Sequence, residues 1–127
     1  LSPEQSGVLE LIASTRDHVF VTGRAGTGKS TLLETFIAST DRSVVVCAPT
    51  GVAALNVGGQ TIHSLFRLPI GLIADHDLDD PPAELRRLLG SVDTVVIDEV
   101  SMVSADLMDA IDRRLRQSRG RPGEPFG

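Results

Sequence analysis

The chain has 127 residues, enough for one ordinary domain with a sizeable core, and 41% hydrophobic with 23% charged residues is a globular mixture. A net charge of −5 excludes non-specific polyanion binding through bulk charge, and no apolar run reaches bilayer-spanning length. The single cysteine, Cys47, excludes an internal disulfide; with no membrane segment, the cytoplasm is the expected compartment.

In chain order, Ser2, Pro3 and Gln5 predict a helix start, with Ser2 as N-cap, Pro3 at the first helical position and Gln5 closing a capping box. Val8, Leu9, Leu11 and Ile12 continue it as an apolar face through about Ala13. His18, Val19, Phe20, Val21 and Thr22 read as a short strand entering a glycine-rich loop. That loop, Gly23-Arg24-Ala25-Gly26-Thr27-Gly28-Lys29-Ser30, matches G-x-x-x-x-G-K-[ST] throughout. Its glycines let backbone N–H groups converge on phosphate oxygens without Cβ clashes, and the next helix presents its positive end to the same anion. Lys29 is expected to reach the β- and γ-phosphates of ATP, the Ser30 hydroxyl to ligate Mg²⁺, and Thr31 to extend the nucleotide contacts. Of twelve basic residues eleven are arginine, so the only lysine stands where a compact, flexible ammonium is needed. The bland alternative is a ligand-free glycine turn; the apolar strand before it and amphipathic helix after it weigh against that.

The helix is expected from Lys29 to about Ser39, with Leu32, Leu33, Phe36 and Ile37 facing inward. Residues 43–48 read as a second buried strand broken by Pro49, with Cys47 a small buried hydrophobe. A helical turn near residues 52–55, a glycine hinge at Gly58 and Gly59, and a turn at 63–66 follow. Residues 67–82 form a loop punctuated by Pro69, Gly71, Pro81 and Pro82. Its acidic run from Asp75 to Asp80 hints at a calcium loop. However, Asp80 and Arg86 replace the required glycine and glutamate, which leaves a solvated loop.

Residues 83–89 are expected as helix and 94–97 as a third buried strand ending in Asp98 and Glu99. Carboxylates at a strand's carboxyl end face the crevice where open α/β sheets bind ligands. Asp98 is therefore expected to hold Mg²⁺ opposite Ser30, and Glu99 to orient and polarise the attacking water. Asp93, at the start of that strand, reads as a turn residue. Val103, Leu107, Ile111 and Leu115 recur every four residues, as a helix packed on a sheet requires. The pattern lapses from Ser118, so residues 118–127 are expected to be a poorly ordered tail. The arginines from Arg113 to Arg121 read as complementing the helix's negative end and then solvated, in preference to touching DNA phosphates. Apolar strands alternating with helices imply an α/β fold whose parallel sheet is covered on both faces.

Three stretches together resemble one family. Residues 48–66, Ala-Pro-Thr-Gly-Val-Ala-Ala-Leu-Asn-Val-Gly-Gly-Gln-Thr-Ile-His-Ser-Leu-Phe, are similar to the segment after the first motif of PIF-type, RecD-like superfamily 1B DNA helicases. Val96-Ile97-Asp98-Glu99-Val100-Ser101-Met102 resembles the family's D-E-[IV]-S-M motif, and Leu1-Ser2-Pro3-Glu4-Gln5 resembles its Q-motif. The resemblance implies a P-loop NTPase, RecA-like three-layer fold with a mostly parallel sheet, residues 1–117 being the N-terminal part of motor domain 1A. It implies ATP hydrolysis coupled to 5′→3′ movement on single-stranded DNA, with Gln5 contacting adenine. Thr50, Gly51, His63, Ser64 and Phe66 would lie along or support the DNA path. The plainer readings are a helix cap for Gln5, a turn-stabilising buried histidine for His63 and a core position for Phe66. In this family a strand carrying G-D-x-x-Q-L lies between the P-loop strand and the Asp98 strand. The sheet is therefore expected to be incomplete, and the fragment unable to unwind DNA alone. Rival readings are another P-loop ATPase or kinase, or a non-catalytic nucleotide-binding module; the oligomeric state is not indicated.

Overall fold

The computed structural model describes residues 2–23 and 28–127. It divides into two compact units, Leu1–Asp41 and Arg42–Gly127.

In the first unit, helix α1 (Pro3–Ser14) starts as the sequence predicts. The Ser2 hydroxyl accepts from the Gln5 N–H at 3.2 Å, and the Gln5 side chain accepts from the Ser2 N–H at 2.8 Å. Two of the amides a helix start leaves orphaned are thereby satisfied. The expected apolar face of α1 is only partly covered, and Leu11 stays half exposed. Helix α2 (Lys29–Ser39) buries Leu32 and Phe36 but leaves Ile37 exposed, against expectation. Residues 18–22 carry no strand, and Phe20 is 72% exposed. The physical reason is that a strand is held by ladder hydrogen bonds to a neighbour, and the described elements of this unit are helices.

The second unit is built on three parallel strands in the order β2-β1-β3. They are β1 (Val44–Ala48), β2 (Gln60–Thr61) and β3 (Thr94–Ile97). Val44 pairs with Thr94 through Cys47 with Ile97, and Cys47 and Ala48 pair with Gln60 and Thr61. The β2 strand was not anticipated. Two residues carry no periodic signal, and their extended state comes from lying beside β1. Gly59 makes that approach possible, because a Cβ there would sit 2.4 Å from the Val46 carbonyl oxygen.

Helix α3 (Gly51–Asn56) joins β1 to β2, while α4 (Ile62–Phe66) and α5 (Ala83–Ser91) lie between β2 and β3. Helix α6 (Ala105–Arg119) follows β3. Ile62, Leu65, Phe66, Leu85, Leu89, Leu107, Ile111 and Leu115 form the core with Cys47, and Val45, Val95 and Ile97 pack onto it. Burial pushes the Cys47 thiol up to about 12, so it is an inert small hydrophobe as read.

One expectation fails at the arginine-rich end. Arg114 is not solvated; it is 3% exposed and lies on the same face of α6 as Leu107, Ala110, Ile111 and Leu115. Burial pulls its pKa down, and the Asp77 charge partly restores it. The residues after α6 hydrogen-bond back to it. Arg116 donates to the Pro122 carbonyl, Arg119 to that of Gly127, and the Phe126 N–H donates to Asp112. Free carbonyls after a helix end are good acceptors for guanidinium groups, and sequence periodicity does not report such pairing.

The start of α6 offers a simple check on this packing. Ser104 is its N-cap and accepts from the Leu107 N–H at 3.1 Å. Ser104→Ala should lower stability by about 1 kcal/mol, read as a shift of the urea midpoint at unchanged slope.

Candidate nucleotide and nucleic-acid site

In the first unit, the residues expected at the phosphate loop fall partly outside the described set. Arg24, Ala25, Gly26 and Thr27 lie there, and Gly23, Gly28, Lys29, Ser30 and Thr31 are described. Gly28 is the N-cap of α2 at φ +88°, a left-handed conformation that favours glycine. A Cβ at Gly28 would also meet the Gln5 amide nitrogen at 2.4 Å. No side chain among the described residues caps α2, so its first-turn amides and the positive end of its dipole are available to an anion. The Lys29 ammonium donates to the Gly23 carbonyl. Ser30 and Thr31 are exposed in the first turn. Gln5 caps α1, and its amide also donates to the Gly28 carbonyl at 3.5 Å. The cap reading is thus realised, and the same side chain touches the loop.

In the second unit, parallel pairing puts the carboxyl ends of β1, β2 and β3 on one edge of the sheet. Thr50 and Gly51 follow β1, His63 and Ser64 follow β2, and Asp98 and Glu99 follow β3, so all are gathered along that edge. The Asp98 N–H donates to the Cys47 carbonyl at 2.9 Å, extending the β1–β3 ladder and fixing the half-buried Asp98 at its end. Glu99 then turns the chain at φ +55°, ψ +41°, left-handed for a non-glycine residue, and is exposed. Such conformations are unfavourable by about 1 kcal/mol or more and cluster at functional sites.

A cavity of about 390 Å³ opens at this edge, lined by residues that include Thr50, His63, Gly71, Leu72, Ile73 and Met102. Thr50 caps α3 by accepting from the Ala53 N–H, and Thr61 caps α4 by accepting from that of Ser64. These caps fix where Gly51 and His63 stand. Phe66, expected along or beneath a DNA path, is 0% exposed. It can support the surface from below but cannot stack on a base, because both ring faces are taken by the core. One lining residue escaped the sequence reading, Leu72, which is 96% exposed; Met102, from the D-E-[IV]-S-M stretch, also lines the cavity and is 60% exposed. The available signal was the apolar content of the 67–82 loop, where Leu68, Ile70, Leu72 and Ile73 exceed what a solvated loop requires.

The family model for PIF1-like helicase matches residues 1–127. The chain belongs to the PIF1-like helicase family. It is 38% identical over 126 residues to the ATP-dependent DNA helicase Pif1 of Bdellovibrio bacteriovorus, covering 94% of this chain and 28% of that protein. It is 41% identical over 131 residues to the PIF1 helicase of Danio rerio, covering all of this chain and 20% of that protein. Among solved structures, Bacteroides Pif1 bound to single-stranded DNA superposes with a TM-score of 0.89 at 42% identity, covering 100% of this chain and 30% of that one. The Bacteroides Pif1 complex with ADP-AlF4 gives the same TM-score, identity and coverage. The chain therefore spans between a fifth and a third of these PIF1-like proteins. Its fold is that of part of a P-loop NTPase, α/β with a small parallel sheet, as an incomplete RecA-like domain should be. Among the described residues, no helix is long and apolar enough to cross a membrane.

Proposed function

We propose that this chain is the N-terminal part of the first motor lobe of an ATP-dependent 5′→3′ DNA helicase, with residues 1–117 forming that lobe's portion. The observation that carries the reading is the shared sheet edge: the Asp98–Glu99 pair ends β3 on the same edge as Thr50 and His63, which follow β1 and β2 and line the cavity there. A motor must place a hydrolytic group next to a polymer track, and this edge holds candidates for both. Relatives named as ATP-dependent DNA helicases, and a Pif1 structure with single-stranded DNA, support the assignment.

In this reading the loop from Gly23 to Ser30 receives the ATP phosphates, Lys29 neutralises charge on the β- and γ-oxygens, and Gln5 meets the adenine. The hydroxyl of Ser30 and the carboxylate of Asp98 are hard oxygen donors, the kind that suit Mg²⁺ held together with phosphates. The metal would neutralise charge developing on the transferred phosphoryl group. Glu99, exposed at the strand end, orients the attacking water and accepts its proton. Thr50, Gly51, His63 and Ser64 contact single-stranded DNA directly, and Phe66 supports them from the core.

The test is the ATPase rate of the full-length protein with and without oligo(dT). DNA should raise the rate by about tenfold or more, a barrier change of roughly 1.4 kcal/mol. An equal rate in both conditions would overturn the helicase reading. Stimulation by a small phosphoryl acceptor in place of DNA would favour a kinase.

A further inference from the structure

We infer that Arg114 is a positioning residue for the nucleic-acid edge: its guanidinium staples together the two ends of the loop that walls the cavity. This deepens the function proposed above and rests on it. Arg114 donates from Nε to the Phe66 carbonyl at 3.0 Å and from one terminal nitrogen to the Arg67 carbonyl at 3.0 Å. The same terminal nitrogen donates to the Asp77 carbonyl at 2.9 Å, and the other reaches that of Leu78 at 3.4 Å. The first pair of acceptors ends α4, the helix that carries His63 and Ser64. The second pair ends the 3-10 turn Asp75–Leu78. Between them runs the segment that lines the cavity with Gly71, Leu72 and Ile73.

Two features mark this as more than ordinary packing. The group is buried to 3% exposure, and none of the ion pairs among the described residues includes it, so its charge is compensated mainly by carbonyl dipoles. Burying a charge is unfavourable unless its donors find acceptors, so the four carbonyls and the guanidinium hold one another in place. The acceptors are also carbonyls freed by irregular backbone. Arg67 is left-handed at φ +54°, which ends α4 and aims the Phe66 and Arg67 oxygens at α6. Gln117, one turn further along α6, donates to the Leu78 carbonyl at 2.8 Å and reinforces the same anchor. A planar fork can hold two chain ends at once, which a lysine ammonium does poorly. Helix α6 also presents Ser104, Asp106 and Leu107 to the cavity, so one rigid helix sets both its floor and the base of its wall.

The experiment uses the full-length protein with Arg114→Lys and Arg114→Met, measuring oligo(dT)-stimulated ATPase, KM for ATP without DNA, and Tm. Arg114→Lys should raise the oligo(dT) concentration for half-maximal stimulation about tenfold while KM for ATP moves less than about twofold. Arg114→Met should be worse on the DNA constant; should it fail to fold, the lysine variant decides alone. A lysine variant with lowered Tm and a normal DNA constant would show a merely structural role and overturn the inference. So would a KM for ATP that rises as much as the DNA constant. If wild-type protein is itself indifferent to DNA, the functional reading falls and this inference with it. If wild type is stimulated and Arg114→Lys matches it, the inference alone is lost.

Discussion

Replacing Lys29 with alanine in the full-length protein is expected to lower ATP turnover by about 10²- to 10³-fold, near the loss seen when one preorganised electrostatic group is removed. Lys29 opens α2 directly after the left-handed Gly28, and its ammonium donates to the Gly23 carbonyl. A phosphate arriving at the uncapped amides of α2 would meet that charge without a large rearrangement. Lys29→Arg should also fail, since a planar fork does not replace a compact point charge on a flexible stem. Single-turnover hydrolysis, with nucleotide affinity measured separately, checks both variants. Wild-type turnover in Lys29→Ala would remove the role given to this residue.

Glu99→Gln is expected to lower kcat by about 10²- to 10³-fold while ATP affinity changes only a few-fold, because general-base assistance acts in the transition state. The substitution keeps the shape and the left-handed backbone of Glu99, so folding should be preserved. Glu99→Gly makes a useful companion. Glycine adopts φ +55° without strain, so that variant should be no less stable than wild type and equally inactive. Turnover by Glu99→Gln within tenfold of wild type would move the base elsewhere. Loss of ATP binding in parallel would instead point to a structural role for the carboxylate.

How much of this was legible beforehand differs by element. The capping box at Ser2 and Gln5, the strands at 44–48 and 94–97, and the face of α6 were readable because each is encoded within a few neighbouring residues. The segment 18–22 looked like a strand for the same local reason, yet strand character belongs to a pair, and apolar composition names no partner. For Arg114, charge points to solvent and position points to the core. Its spacing from Leu107 and Ile111 already placed it on the buried stripe of α6. Phe66, read either as lying along or supporting the DNA path or as a plain core position, is fully buried.

By itself the amino-acid order determined the chemistry this protein carries. An eight-residue loop with one lysine, and an acidic pair closing an apolar strand, are statements about backbone freedom and charge over short distances. Only the tertiary structure decided which groups share a surface. Parallel pairing of three strands brings residues from positions 50, 63 and 98 to one edge, and a buried guanidinium holds the wall beside them. Such meetings join residues tens of positions apart, and no local periodicity encodes them, because they arise when the chain buries its apolar surface as a whole.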